Sequence, residues 1–249
     1  MPEIINENII LYQNEGSLAY GTDAYLLSAY MRRQTKERAC EFGAGSGVIS
    51  LLAAARGNFS HITALEIQQN IADIAARNVE INGFSEKIDV VCLDIRDTGA
   101  EMNGAFGVVF SNPPYMTANS GRLCKNDADS ASRHELSGGI DDFAAAASKL
   151  LKYGGLFYAV YRPDRLAELL FACKLHGLEP KRMTLVYPTE HHVPCLVLLE
   201  AKKNGAPGIF VTKPLIIYQS GKPQTNANYT DDMKYIYENG AFHELYQRL

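Results

Sequence analysis

A chain of 249 residues with 47% apolar and 21% charged side chains holds enough material for one α/β core with additions, and this composition excludes a disordered chain. The net charge of −4 at pH 7 excludes a grip on nucleic acid built on charge alone. Residues 1–148 carry 11 basic against 19 acidic side chains and residues 149–249 carry 13 against 9, so any polyanion contact is expected from the C-terminal part, through Lys181, Arg182, Lys202, Lys203 and Lys213.

Residues 1–36 read as an extension packed on a single domain running from 37 to 249. In "RACEFGAGSG" a strand enters a glycine turn, and "VISLLAAARG" continues as a helix closed near Gly57. "HITALEI" reads as a second strand. "QQNIADIAARNVEING" places Ile71, Ile74, Ala75 and Asn78 at helical spacing and stops at Asn82-Gly83. "KIDVVCLDI" and "FGVVFSN" are a third and a fourth strand, "DDFAAAASKLLKYGG" a helix closed by a glycine pair, and "LFYAVY" a fifth strand. "RPDRLAELLFACKLHG" adds a helix with Pro163 in its first turn. The short apolar runs "TLVYP", "CLVLLEA" and "PLIIY" then suit an antiparallel edge or hairpin. Strands alternating with helices of this length predict βαβ units, hence an α/β, doubly wound and mostly parallel sheet covered on both faces.

Cys40, Cys92, Cys124, Cys173 and Cys195 are odd in number and never form a C-x-x-C pair, which argues against a disulfide framework and a zinc site. The opening "MPEIINENIILYQNEG" has no basic region followed by an apolar one, and no apolar run spans a bilayer. The expectation is a cytoplasmic protein without metal or membrane and, lacking a coiled-coil pattern, a monomer.

The chemistry gathers at the strand ends. Glu41 is followed by Gly43, Gly45 and Gly47, a G-x-G-x-G turn rather than the G-x-G-x-x-G of nicotinamide sites. An acid there repels a pyrophosphate but suits a cofactor with an amino group and a sulfonium. Glu66 stands 19 residues after Gly47, where an acid takes ribose hydroxyls, and Asp94 closes the third strand in position for an adenine amine, although a carboxylate there is equally a helix N-cap. Ile67 and Ile95, beside these acids, belong to the same expected set. The fourth strand runs into Asn112-Pro113-Pro114-Tyr115: a rigid turn that places two acceptors, the Asn112 side chain and the Pro113 carbonyl, beside an aromatic ring on which a planar group stacks. The plainer alternative is a loop turn followed by a core tyrosine.

Together these residues resemble the S-adenosylmethionine-dependent methyltransferases of the Rossmann-like class I fold, over about Gly21 to Tyr161. That resemblance implies a seven-stranded sheet with an antiparallel C-terminal hairpin, S-adenosyl-L-methionine as cofactor, and an amino group as methyl acceptor at Asn112, Pro113, Pro114 and Tyr115. "YGTDAYLLSAY", "SRHEL", "YRPDRLAELL", "LVLLEAKKNG" and "PLIIY" extend it to nearly the whole chain, which is similar to the bacterial adenine-N6 methyltransferases acting on valine tRNA beside the anticodon. By that likeness Thr22 and Asp23 sit near the methionine end of the cofactor; Arg122, Lys125 and Arg133, in the long segment 116–139, either grip RNA phosphates around the base or belong to a solvated loop in which they balance Asp127, Asp129 and Glu135. The alternatives are a glutamine-modifying protein methyltransferase, for which only some forty residues precede the glycine turn, an enzyme acting on rRNA or DNA amino groups, and a non-catalytic binding protein with this fold.

Overall fold

The computed structural model describes residues 3–4, 9–12, 21–113 and 138–247. Two short strands, β1 (Glu3–Ile4) and β2 (Ile10–Leu11), pair antiparallel ahead of helix α1 (Thr22–Tyr30). The alternating part follows as β3 (Gln34–Phe42), α2 (Val48–Ala55), β4 (Phe59–Glu66), α3 (Gln69–Ile81), β5 (Ile88–Cys92), β6 (Phe106–Ser111), α4 (Ile140–Leu150), β7 (Leu151–Tyr161) and α5 (Leu166–Leu175). It ends in β8 (Leu178–Tyr187), β9 (Leu196–Lys203), two-residue strands β10 (Phe210–Val211) and β11 (Leu215–Ile216), and α6 (Asp231–Asn239). β3 starts at Gln34, so residues 34–36 already belong to the sheet.

The sheet order is β10-β8-β9-β7-β6-β3-β4-β5, with β11 also on β8. Pairing is parallel from β5 to β7 and antiparallel across β7-β9-β8, giving the expected mostly parallel sheet with a hairpin. "PLIIY" departs from its expected antiparallel pairing. Leu215 and Ile216 run parallel to Val186 and Tyr187 of β8. Alternation along the strands feeds two cores. Val108 and Phe110 of β6 join the side chains of α1, α2, α3 and α6 on one face, while Phe106 and Val109 join those of α4 and α5 on the other.

Both glycine stops predicted from sequence close their helices. Gly57 and Gly83 have positive φ, and the bonds Gly57 N–H to Ala54 and Asn58 N–H to Ala53, repeated as Gly83 to Glu80 and Phe84 to Val79, satisfy the last carbonyls of α2 and α3. The Gly154-Gly155 pair does something else. α4 ends at Leu150 and β7 begins at once. The pair falls inside that strand, where the register against β6 shifts between Phe106 and Val108 and Gly154 takes φ +75°, a bulge in place of a helix cap.

β4 and β6 flank β3 on opposite sides, so the chain crosses over in opposite directions from β3, and the crevice at its C-terminal end is the switch point at which such sheets bind ligands. The glycine turn opens there.

Candidate active site

The turn after β3 owes its shape to backbone conformation. Gly43, Gly45 and Gly47 all have positive φ, and a Cβ on Gly43 or Gly45 would meet nothing within 4 Å, so these two are required by dihedral angle and not by room. The turn is pinned from behind by Ala44 N–H to the Leu65 carbonyl at 2.9 Å and by Gly45 N–H to Glu66 Oε2 at 3.0 Å. Asn78, fully buried on α3, donates to the Ser46 carbonyl at 2.9 Å and pairs with the backbone of Tyr12 through both ends of its amide. Asn82, one helical turn on, pairs with Ile10 in the same way, so two side-chain amides dock the N-terminal segment onto α3.

A cavity opens between the strand ends, lined by Gly43, Leu65, Glu66, Ile67, Gln68, Leu93, Asp94, Ile95, Asn112 and Phe143. Five of the predicted cofactor positions after the turn's first glycine therefore meet in one place: Glu66, Ile67, Asp94, Ile95 and Asn112. Glu66 is buried, and its second oxygen accepts from Gln68 N–H at 3.0 Å. Asp94 lies beyond the end of β5, and the plainer reading holds alongside the functional one. Its carboxylate caps the short 3-10 turn Ile95–Asp97 through Arg96 N–H, and the Arg96 guanidinium against it holds the carboxyl below the usual range. A carboxylate has about four lone-pair sites, so Asp94 keeps capacity to accept from a ligand.

The expectation for Glu41 is corrected. It is 1% exposed and does not line the cavity. Cys40 and Phe42 face the α4 and α5 layer, so the two-residue period of β3 turns Glu41 to the other face, toward α2. There it accepts from Ser50 Oγ and from Ser50 N–H, an open donor of the helix N-terminus. Burial raises its carboxyl to about 8, against the two Ser50 hydrogen bonds, with the nearby Glu66 charge adding to the rise. An acid that keeps its proton in the fold and loses it near 4.5 when unfolded adds stability fully present below pH 4.5 and lost as pH rises through 8. Glu41→Gln removes that dependence. Relative to wild type the variant gains on the order of 1 kcal/mol per pH unit between pH 5 and 8 in denaturant titrations, and a pH-independent difference would refute the assignment.

The other predicted residues divide. Asn112 follows β6, whose end is tied to β3 by Ser111 Oγ donating to the Phe42 carbonyl at 3.0 Å, and Pro113 is buried beside it. Asn112 Nδ2 donates to Asp23 Oδ2 at 2.8 Å, which ties the first turn of α1 to a residue of the cavity wall, while Thr22 and Asp23 themselves do not line the cavity. Pro114, Tyr115, Arg122, Lys125 and Arg133 lie outside the described residues. Three residues outside the expected site set contribute to it: Phe143 of α4 and Gln68 line the cavity, and Asn78 holds the glycine turn. Phe143 is an aromatic in an alanine-rich helix and Asn78 an amide on the helical stripe of Ile71, Ile74 and Ala75, and neither pattern by itself marks a site.

The expected positive face does not assemble at this edge. Arg182 is 1% exposed and ion-paired inside the molecule. Lys181 and Lys202, at the start of β8 and the end of β9, lie at the opposite edge of the sheet; Lys203 there donates to the Leu151 carbonyl, and Lys213 pairs with Asp232. Among the described residues no helix is long and apolar enough to cross a membrane.

Comparison with known proteins shows the family and the fold. The sequence profile of the methyltransferase small domain matches residues 15–170, more than half of the chain. The chain is 29% identical over 192 residues, 77% of its length and 80% of the relative's, to a tRNA1(Val) (adenine(37)-N6)-methyltransferase of Phocaeicola vulgatus. It is 24% identical to the protein of that name from Dyadobacter fermentans, over 90% and 92% of the two chains. Among solved structures, one described as a predicted O-methyltransferase from Agrobacterium tumefaciens superposes with a TM-score of 0.70 at 23% identity, covering 89% of this chain and 98% of that one. A geranyl diphosphate C-methyltransferase from Streptomyces coelicolor, in complex with S-adenosyl-L-homocysteine, gives 0.54 at 13% identity over 73% and 78%.

Proposed function

From the premise that this chain belongs to the methyltransferase small domain family, we infer that it transfers a methyl group from S-adenosyl-L-methionine to the exocyclic N6 of an adenine in tRNA. The observation that carries the reading is Asn112, held by Asp23 in the wall of a cavity that Glu66 and Asp94 also line. The cavity suits the adenosyl part of the cofactor: apolar side chains Leu65, Ile67, Leu93, Ile95 and Phe143 for its faces, and two carboxylates for its hydroxyls and amine. Glu66 would hold the ribose hydroxyls and Asp94 the adenine amine, and the Gly43, Gly45 and Gly47 turn would receive the amino-acid end. The cofactor supplies an electrophilic methyl group on a sulfonium.

The N6 lone pair of adenine is delocalised into the ring, which makes it a poor nucleophile. Asn112 Oδ1 and the Pro113 carbonyl accept from its two N–H groups and draw the nitrogen toward a tetrahedral shape with its lone pair directed at the methyl group. This is positioning and preorganised electrostatics, and it needs no covalent intermediate. Pro114 and Tyr115 of the same motif are the proposed stiffener of the turn and the proposed stacking partner of the base. An adenine inside a duplex does not reach such a pocket, so the target is unpaired or flipped out, as in an anticodon loop. Arg122, Lys125 and Arg133 are the proposed phosphate contacts, a role supported by the burial of Arg182 and the far placement of Lys181, Lys202 and Lys203. The enzyme is cytoplasmic and acts as a monomer.

The test is transfer of labelled methyl to unmodified tRNA, DNA and release factor in parallel, each digested and separated. Label recovered as N6-methyladenosine from tRNA is the expected result; label in DNA, or in glutamine, removes tRNA from the proposal and leaves the chemistry.

A further inference from the structure

We propose that Asp23 is a positioning residue that sets which face of the Asn112 amide meets the substrate, and thereby requires an amide rather than a carboxylate at position 112. The inference rests on the amino-methyltransferase reading above, since that chemistry needs an acceptor directed at the incoming nitrogen.

An asparagine amide is nearly symmetric in shape and opposite in its two ends: turned by half a revolution, it presents a donor where it had an acceptor. A hydrogen-bond acceptor at the right place is therefore not secured by having asparagine in the motif. Asp23 Oδ2 lies 2.8 Å from Asn112 Nδ2, and a carboxylate only accepts. The pair fixes the NH2 group toward α1 and leaves the carbonyl oxygen on the other side. The partners are 89 residues apart, so the orientation is a tertiary property.

Asp23 is itself held. It stands in the first turn of α1, whose next seven residues, Ala24 to Tyr30, are all buried, so it rides on a rigid element. Its carboxylate folds back over Gly21: a Cβ on Gly21 would come within 2.2 Å of Asp23 Oδ1, so a side chain there displaces the carboxylate that holds Asn112. Gly21 is extended and has no need of glycine's dihedral freedom, so the close approach of Asp23 is what calls for a glycine there.

The same contact has a consequence for position 112. An aspartate there would set two carboxylates against each other at hydrogen-bond distance, where they cannot both be ionised. The exchange Asp23→Asn with Asn112→Asp rebuilds the bond with donor and acceptor interchanged, and again directs an acceptor at the substrate.

The experiment is a double-mutant cycle with Asp23→Asn, Asn112→Asp and the exchanged pair. kcat on tRNA, cofactor dissociation constant and Tm are measured for each. The expected result is a loss of kcat and Tm in Asn112→Asp and a recovery of about tenfold or more in kcat in the exchanged pair, together with recovery of Tm. Gly21→Ala, which alters neither partner, lowers kcat in the same sense. If wild type methylates tRNA and the exchanged pair is no better than the product of the single effects on kcat and the sum of the single shifts in Tm, the proposal is overturned. If Asp23→Asn instead acts through the cofactor dissociation constant alone, it is likewise overturned, and Asp23 serves the cofactor's amino group. Failure of wild type to methylate tRNA overturns the tRNA reading, and the Tm cycle then decides for or against the pair by itself.

Discussion

A Glu200→Ala variant is expected to lose about 3–5 kcal/mol of stability, the usual cost of removing one partner of a buried ion pair. Glu200 is 3% exposed on β9, and Arg182, facing it from β8, is 1% exposed. The Arg182 guanidinium and Arg32 Nε converge on the same oxygen, Glu200 Oε2, each at 2.9 Å. Arg182 also donates to the carbonyls of Tyr30 at 2.6 Å and Tyr246 at 3.3 Å, and its guanidinium lies 3.8 Å from the Tyr30 ring centroid. One carboxylate thus balances two cations where α1, the hairpin and the C-terminal turn meet. Without it, Arg182 keeps its charge and its burial. For a chain of this size the loss corresponds to roughly 6–20 °C in Tm. The pair is not simply stabilising, however. Arg182→Met with Glu200→Leu, which removes both charges, is expected to fall much closer to wild type, because the favourable attraction is offset by the desolvation of both groups. A Tm for Glu200→Ala within about 2 °C of wild type would contradict this account.

That network also shows where sequence reading stops. An arginine and a glutamate in apolar strands carry no mark of facing each other, and Arg182 reads as surface charge in the sequence because arginine is rarely fully buried unless paired. Pairing is settled by the antiparallel register that puts Arg182 opposite Glu200. What was legible is what is local. The alternation of apolar runs with glycine-stopped helices gave β3 to β6, and the spacing of Glu66 and Asp94 after the glycine turn gave two walls of the cavity. Each of those signals spans one turn or one βαβ unit. The helix-to-strand junction at Leu150 and Leu151 was missed because no loop separates the elements, so the glycine pair that marks a bulge looked like a cap. Glu41 was misplaced for a similar reason: its type and position suited a ligand, but the facing of one strand residue depends on which layer Cys40 and Phe42 occupy. The contact between Asp23 and Asn112 joins α1 to the end of β6 and has no local signature at all.

The largest effect on activity is expected from Asn112→Ala. Asn112 lines the cavity, so some loss of cofactor affinity follows, about fivefold if one ordinary hydrogen bond is removed. Its effect on kcat is larger, on the order of a hundred- to a thousandfold, as when one preorganised polar partner of a reacting group is deleted. The reason for the inequality lies in what each state needs. In the bound ground state the N6 amine is planar and its hydrogens can be met by water or by Pro113. In the transition state the nitrogen pyramidalises and its N–H groups become more acidic, so an acceptor already fixed by Asp23 gains strength just as the methyl group moves. An interaction that strengthens in the transition state appears in kcat, and one equally strong in both appears in KM. Asn112→Ala should therefore bind the cofactor in calorimetry and turn over too slowly to modify tRNA. Equal falls in cofactor affinity and kcat/KM with kcat preserved would make Asn112 a binding residue and move the burden of catalysis to the Pro113 carbonyl.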